Sequence, residues 1–197
     1  MMPGSRALIT LALVVLVIEL GATLGSLLGE PFDPVAGWAS TRAVDGLAFA
    51  LVVVGCGALG FLGRFPRVAA ALATGAYCAF ALGDYEMGMF LAPMVAVFVL
   101  VAMHRQLLTA GICALSSLGA GLIWVATRLA PVTEPGVILL AWVAFGVVLA
   151  MFFLLPLLLG EITGLRRQLR WAPGSSAITH ARGPESREGA RNSVPSG

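Results

Sequence analysis

This chain of 197 residues lacks lysine and has few charged residues of any kind. All of its 12 basic residues are arginine, and only 11% of its residues are charged, whereas 59% are hydrophobic. Soluble domains usually carry about a quarter charged residues. The mean hydropathy of +0.95 therefore excludes an ordinary soluble domain and places the chain in a lipid bilayer.

The residues that build metal centres and catalytic sites are also scarce. The three cysteines, Cys56, Cys78 and Cys113, each lie inside an apolar stretch, so we expect neither a disulfide nor a metal site. H-E-x-x-H, G-x-S-x-G, Walker A and paired-cysteine zinc motifs are missing. We therefore predict that the protein is not an enzyme and needs no cofactor.

One literal motif match occurs at residues 55–60, where Gly-Cys-Gly-Ala-Leu-Gly fits the dinucleotide-binding pattern G-x-G-x-x-G. A Rossmann unit would continue into an amphipathic helix and further alternating strands and helices. Here the chain runs into Arg64-Phe65-Pro66-Arg67 and another apolar stretch. These glycines therefore indicate close packing of membrane helices rather than a nucleotide site.

Six apolar stretches divide the chain, with short polar links between them. At about 1.5 Å per residue, each comes near the ~30 Å thickness of a bilayer's hydrocarbon core. The pattern predicts an all-α fold, a polytopic bundle of six transmembrane helices that forms a domain over residues 1–160. The predicted spans are 7–28, 46–63, 68–83, 87–103, 107–127 and 137–160.

The arginines predict the orientation of this bundle, because cytoplasmic links retain basic residues. With the N-terminus inside, the outer face carries only Arg42 and Arg128. Both termini are then cytoplasmic, in the cell membrane of a bacterium. The inner face would hold ten of the twelve arginines, namely Arg6, Arg64, Arg67, Arg105, Arg166, Arg167, Arg170, Arg182, Arg187 and Arg191.

Two further segments follow the sixth stretch. Residues 161–171 place leucine and isoleucine at helical spacing opposite Arg166, Arg167 and Arg170, which predicts a basic amphipathic segment in contact with the inner leaflet. Residues 172–197 are rich in glycine, serine, proline, arginine and glutamate. Such a composition predicts a disordered cytoplasmic tail.

Glu19 is the ionisable residue that lies well inside a predicted span, which makes it a functional candidate by default. Tyr77, Ser116 and Ser117 lie at a similar depth in their own spans, and their hydroxyls could hydrogen-bond a carboxyl group. We therefore predict a polar cluster of these four residues near the midplane, with a binding role. The alternative is a structural hydrogen bond between helices.

Gly21, Gly25 and Gly29 form a G-x-x-x-G-x-x-x-G face on the first span. Such faces let two helices approach closely. This face predicts helix packing, either within one chain or between the two chains of a homodimer.

Several short motifs resemble the N-terminal membrane region of bacterial sensor histidine kinases of the high-GC Gram-positive type. In that family, a first span that often bears a glutamate leads to a Pro-x-Asp-Pro-like link, and the sixth span runs into an arginine-rich helix. The corresponding residues here are Glu19, Pro31-Phe32-Asp33-Pro34, Arg64-Phe65-Pro66, Leu82-Gly83-Asp84-Tyr85, His104-Arg105 and Leu165-Arg166-Arg167-Gln168-Leu169.

The resemblance implies a sensory or anchoring membrane region without the kinase module. Family members continue into a dimerisation domain with a phosphoacceptor histidine and an ATP-binding domain, whereas this chain breaks at Pro173-Gly174. We expect a multi-pass protein that contacts the lipid bilayer and a second copy or another membrane protein, but no nucleic acid. The alternative is a small transporter or channel that uses Glu19 and the mid-membrane hydroxyls.

Overall fold

The computed structural model describes residues 5–29, 36–86 and 88–171, and its fold is all-helical over these ranges. No strand occurs in them. The six helices are α1 (Ser5–Leu28), α2 (Gly46–Leu59), α3 (Pro66–Leu82), α4 (Leu91–His104), α5 (Leu107–Leu129) and α6 (Pro135–Trp171).

Local sequence explains several helix ends. The Asp45 carboxylate accepts hydrogen bonds from the backbone N–H groups of Leu47 and Ala48, which caps the start of α2. Pro66 begins α3 at the first helical position, where a missing N–H costs nothing. Arg105 ends α4 in a left-handed conformation with φ of 52°.

Small side chains make up part of the core, which lets helices approach closely at these positions. α2 packs against α1 and α3, and α3 packs against α4 and α5. A Cβ atom added at Gly160 would lie 2.7 Å from the Cβ of Val101, which shows that α6 approaches α4 through a glycine. Alanines with at most 1% exposure line the interior: Ala48, Ala69, Ala70, Ala73, Ala92, Ala96, Ala110 and Ala114.

The links between the helices gather in two groups. At one end, Arg67 Nε donates to Gln106 Oε1 at 3.2 Å, which joins the α2–α3 link region to the α4–α5 link. At the other end, the backbone N–H of Ala39 donates to the carbonyl of Arg128, and that of Arg42 donates to the carbonyl of Asp84. The link before α2 therefore meets both the end of α5 and the link before α4.

In the described part of the chain, three helices are long and apolar enough to cross a membrane by their length and composition: Arg6–Leu28, Leu107–Leu129 and Pro135–Arg166. They indicate a membrane protein. The other three are apolar but short, and the 14 residues of α2 or α4 reach only about 21 Å.

The observed helices differ from three predicted spans. Within the predicted span 87–103, residues 88–90 are not helical and α4 begins at Leu91. Within the span 46–63, turns replace the helix after Leu59. α6 is longer than predicted, with 37 residues.

The contacts divide the chain into two units, residues 1–164 and 165–197. The predicted domain 1–160 falls within the first unit. The predicted amphipathic segment 161–171 belongs to α6, whose side chains are described up to Arg166. The predicted tail 172–197 lies outside the described residues.

Candidate functional site

Glu19 belongs to the buried stripe of α1. Leu8, Ala12, Val15, Glu19 and Thr23 are all buried, and their spacing of three or four residues places them on one face of the helix. The side chain of Glu19 is only 1% exposed. The first helix therefore carries a carboxylate into the interior of the bundle.

This carboxylate caps another helix. Glu19 Oε1 accepts hydrogen bonds from the backbone N–H groups of Leu91 at 2.7 Å and Ala92 at 3.1 Å, which lie in the first turn of α4. The residue before this turn, Phe90, supplies no side-chain cap. Because N–H groups at a helix start lack partners within the helix and favour negative charge, Glu19 performs from α1 the task of a local N-cap residue.

The other carboxylate oxygen faces α2. The Cys56 thiol donates to Glu19 Oε2 at a distance of 3.5 Å, and Cys56 is fully buried. Glu19 therefore joins three helices, α1, α2 and α4, through three donors. The arrangement holds these helices together and offers no exposed nucleophile.

The non-helical segment before α4 is itself buried in the protein. Tyr85 and Met89 are fully buried, and Trp124 Nε1 donates to the Tyr85 carbonyl at 2.8 Å. Met89 reaches α2, because a Cβ added at Gly55 would lie 2.2 Å from its Cε atom. Because this segment is not helical, α4 begins at Leu91, where its first N–H groups meet Glu19.

Arg128 binds the backbone of two links at the opposite end from Arg67. Its side chain is buried, and it donates to the carbonyls of Ser40 and Asp84 and to the Asp84 carboxylate at 3.1 Å. Asp84 has a φ of 64°, a left-handed conformation that turns its carbonyl toward Arg128.

The sequence had predicted only that Arg128 is a charge on the outer face. A lone arginine in the last turn of an apolar helix, beside Trp124, was the signal for its role.

Tyr85 connects this network to the start of α2. Its hydroxyl donates to Asp45 Oδ1 at 2.6 Å, while Arg42 pairs with Asp45 Oδ2 at 2.6 Å. The hydrogen bond from Tyr85 holds the pKa of the Asp45 carboxyl below its ordinary value, and the charge of Arg42 adds to this effect.

The other three members of the predicted polar cluster make no hydrogen bond to Glu19 in the described part of the chain. Tyr77 packs its ring 5.3 Å from that of Phe153. Ser117 is buried, and its hydroxyl has no hydrogen-bond partner among the described residues. Ser116 is exposed and accepts from Cys78 through its backbone carbonyl. The structure therefore does not join these residues to Glu19, and their binding role stays a prediction.

The glycine face of α1 is open at two of its three positions. Among the described residues, a Cβ atom added at Gly21 or Gly25 would meet nothing within 4 Å, whereas one at Gly29 would meet the backbone of Gly25. Gly21 and Gly25 lie about 200° and 240° around the helix from Glu19. The packing surface is therefore open at Gly21 and Gly25, on the side opposite the buried stripe.

The remaining predicted contacts lie at the end of the described chain. Arg166 is exposed on α6, whereas the side chains of Arg167 and Arg170 lie outside the described residues. Within the described ranges, no three histidine, cysteine or acidic residues are grouped so that they could hold a metal ion.

Comparisons of this chain with protein-family models, with curated proteins and with solved structures found no match.

Proposed function

We propose that this protein spans a bacterial cell membrane six times, with both termini in the cytoplasm. The two groups of links support this topology. Arg67 and Gln106 connect the two links that the arginines assign to the inner face. Arg128 binds the two links that are assigned to the outer face. Alternate links therefore meet, as six antiparallel spans require.

The short helices fit this topology because other parts of the protein form hydrogen bonds with the non-helical backbone next to them. Non-helical backbone is tolerated at membrane depth only where it is buried in protein or lines a water-filled cavity. Trp124 and Arg128 bind the carbonyls of Tyr85 and Asp84, and Glu19 binds the first N–H groups of α4. The segment between α3 and α4 can thus enter the membrane without unpaired polar groups at these positions.

Within the membrane, the protein acts without catalysis, through helix contacts with a second copy of itself. The two faces of α1 carry this proposal. Glu19 fixes one face to α2 and α4, while Gly21 and Gly25 leave the other face open. A sensory or anchoring region like that of a histidine kinase needs such a contact between subunits. Another membrane protein that presents a matching small-residue face is the alternative partner.

Disulfide cross-linking in native membranes tests the contact. Cys56, Cys78 and Cys113 are first replaced by alanine, and a single cysteine is then introduced at Gly25 or at Leu24. Both positions are exposed and neighbours in the chain, but they lie about 100° apart around α1. Mild oxidation should give a dimer for Gly25→Cys and far less for Leu24→Cys.

The outcomes separate the partners. A product with twice the mass of the chain supports the homodimer, and a product of another mass supports a different membrane protein. Equal cross-linking at both positions would indicate random collision. That result, or no product at either position, would contradict the proposal.

A small transporter or channel is the second candidate. The start of α4 favours it, because transporters often place the ends of discontinuous helices at ion or substrate sites within the membrane. Protein reconstituted into liposomes with an internal pH dye should then carry protons, and Glu19→Gln should abolish the flux. A flux no greater than that of empty liposomes would remove this candidate.

A further inference from the structure

A cavity of about 280 Å³ opens between the α2–α3 and α4–α5 links, at the end of the bundle where Arg67 meets Gln106. The residues around it combine two guanidinium groups with apolar side chains. They are Arg64, Phe65, Pro66, Arg67, Val68 and Gln106. None of them belongs to the network around Glu19 or Arg128.

The positive charge of this cavity is not neutralised. The Arg64 guanidinium lies over the Phe65 ring, 5.5 Å from its centroid, and Arg67 uses Nε to bind the neutral Gln106. Among the described residues, neither arginine pairs with a carboxylate. Two guanidinium groups at one opening provide several donors for an anion with phosphate geometry.

The start of α3 adds backbone donors on the same wall. Phe65 precedes the helix and makes no side-chain capping bond, so the first-turn N–H groups of Arg67 and Val68 have no cap. The start of a helix attracts anions because these N–H groups and the helix dipole favour negative charge. Here they reinforce the two arginines that line the cavity.

The surroundings of the cavity are apolar. Phe65 is 53% exposed and Val68 is 59% exposed, while Leu108, two residues after Gln106, is 80% exposed. A free anion gains nothing from such side chains, whereas a lipid can place its headgroup against the arginines and its acyl chains against the apolar surface. Basic pockets between helices at the cytoplasmic side bind acidic lipid headgroups in other membrane proteins.

We propose that this cavity binds the phosphate headgroup of an anionic phospholipid from the inner leaflet. The proposal rests on the proposed membrane topology, which puts Arg64 and Arg67 on the cytoplasmic side. Binding there would fix the two inner links to the bilayer surface, separately from the predicted contact of Arg166, Arg167 and Arg170.

Native mass spectrometry of the full chain tests this site. The protein is released from nanodiscs that contain equal amounts of phosphatidylglycerol and phosphatidylcholine, and the retained lipids are counted. The double variant Arg64→Gln/Arg67→Gln is compared with Arg6→Gln/Arg191→Gln, which removes two arginines from the same predicted side but none from the cavity or from the predicted contact of Arg166, Arg167 and Arg170. In the first variant, the ratio of retained phosphatidylglycerol to phosphatidylcholine should fall by about tenfold. In the control, this ratio should stay unchanged.

A second variant guards against misfolding of the first. Val68→Glu adds a negative charge at the cavity wall, at a side chain that is more than half exposed, and should also lower retention of phosphatidylglycerol. Helix content and melting temperature are checked for each variant. Equal lipid retention by the cavity variants and the control would overturn the proposal. Displacement of the lipid by millimolar inorganic phosphate would overturn it too, because the site would then be one for a free anion.

Lipid retention and cross-linking through Gly25 are independent measurements. A chain that keeps its lipid preference but gives no cross-linked product refutes the proposed homodimer alone. A chain that cross-links but shows no preference refutes the lipid site alone.

Discussion

The Glu19 carboxylate and the Leu91 backbone N–H group, 72 residues apart in the chain, are joined by a hydrogen bond of 2.7 Å. The bond makes a side chain of α1 the cap of α4. The bond from Ala92 is buried and the bond from Leu91 is half-buried, so water cannot fully replace a lost cap. The stability of α4 therefore depends on a residue of another helix.

Substitution of Glu19 should show this dependence. Glu19→Gln keeps an oxygen that can accept from Leu91 and Ala92, so its melting temperature should stay near that of the wild type. Glu19→Leu leaves the buried N–H group of Ala92 and the half-buried one of Leu91 unpaired, which should cost about 1–3 kcal/mol or more. Thermal unfolding in detergent measures the difference, with the exposed carboxylate variant Glu134→Leu as control. A Glu19→Leu protein as stable as the wild type would disprove the capping role.

Arg128 and Arg42 should differ in their contributions to stability. Arg128 is 3% exposed and binds two links, so Arg128→Ala should cost about 2–4 kcal/mol. Arg42 forms an exposed pair with Asp45, and Arg42→Ala should cost at most about 1 kcal/mol. Arg128→Lys should also be destabilised, because an ammonium group cannot reproduce the guanidinium fork. Equal melting temperatures for the two alanine variants would contradict this assignment.

Acid should weaken the network around Asp45. Its pKa is lowered in the folded protein, so its contribution is present above the ordinary value of about 4 and is lost as pH falls through the folded pKa. Asp45→Asn should therefore flatten the loss of stability below about pH 4. Glu134→Gln, which leaves Tyr85 and Asp45 untouched, should keep the acid loss. Melting curves between pH 2 and pH 6 measure both variants. If the melting temperature of Asp45→Asn falls with pH as steeply as that of the wild type, Asp45 is not the source of the acid sensitivity.

Two glycines should respond oppositely to leucine. A Cβ at Gly55 would collide with Met89 and press on Ala76, so Gly55→Leu should destabilise the chain by about 1–3 kcal/mol or more. Gly25 has open space around it, so Gly25→Leu should leave the melting temperature of the separated chain unchanged or slightly raised. It should instead reduce association, measured by cross-linking at a neighbouring position of the face, such as Gly21→Cys. Destabilisation by Gly25→Leu would show that this face packs within the chain.

Topology reporters should give opposite signals at the two ends of the bundle. A reporter fused after Gly197 should report a cytoplasmic location, and one inserted at Glu134 should report an outer location. Glu134 is a better position than Asp84, because Asp84 is bound to Arg128. A periplasmic signal after Gly197 would contradict six spans with both termini inside.

Much of the helical framework was predictable because hydrophobic runs are local. The starts of α2 and α5 were predicted at the residues where they occur, Gly46 and Leu107. The start of α4 was not, since residues 88–90 are apolar but not helical: Met89 packs against α2, and Glu19 caps the helix at Leu91. The partners of these residues come from distant helices, so no window of sequence contains them.

The candidate site shows the same division. Composition identified Glu19 as the unusual residue, because a carboxylate in an apolar helix needs a polar partner. The expected partners were hydroxyls of Tyr77, Ser116 and Ser117, whereas the observed donors are two backbone N–H groups and the Cys56 thiol. Backbone donors are invisible in a sequence, since every residue except proline carries one.

The amino-acid sequence by itself determined that this chain is apolar, helical and asymmetric in charge, because these properties follow from composition and from the order of short segments. Only the tertiary structure decided which face of α1 is buried, where α4 begins and which links Arg128 binds. Those features depend on groups brought together from separate helices, and their geometry is set by close packing around small side chains.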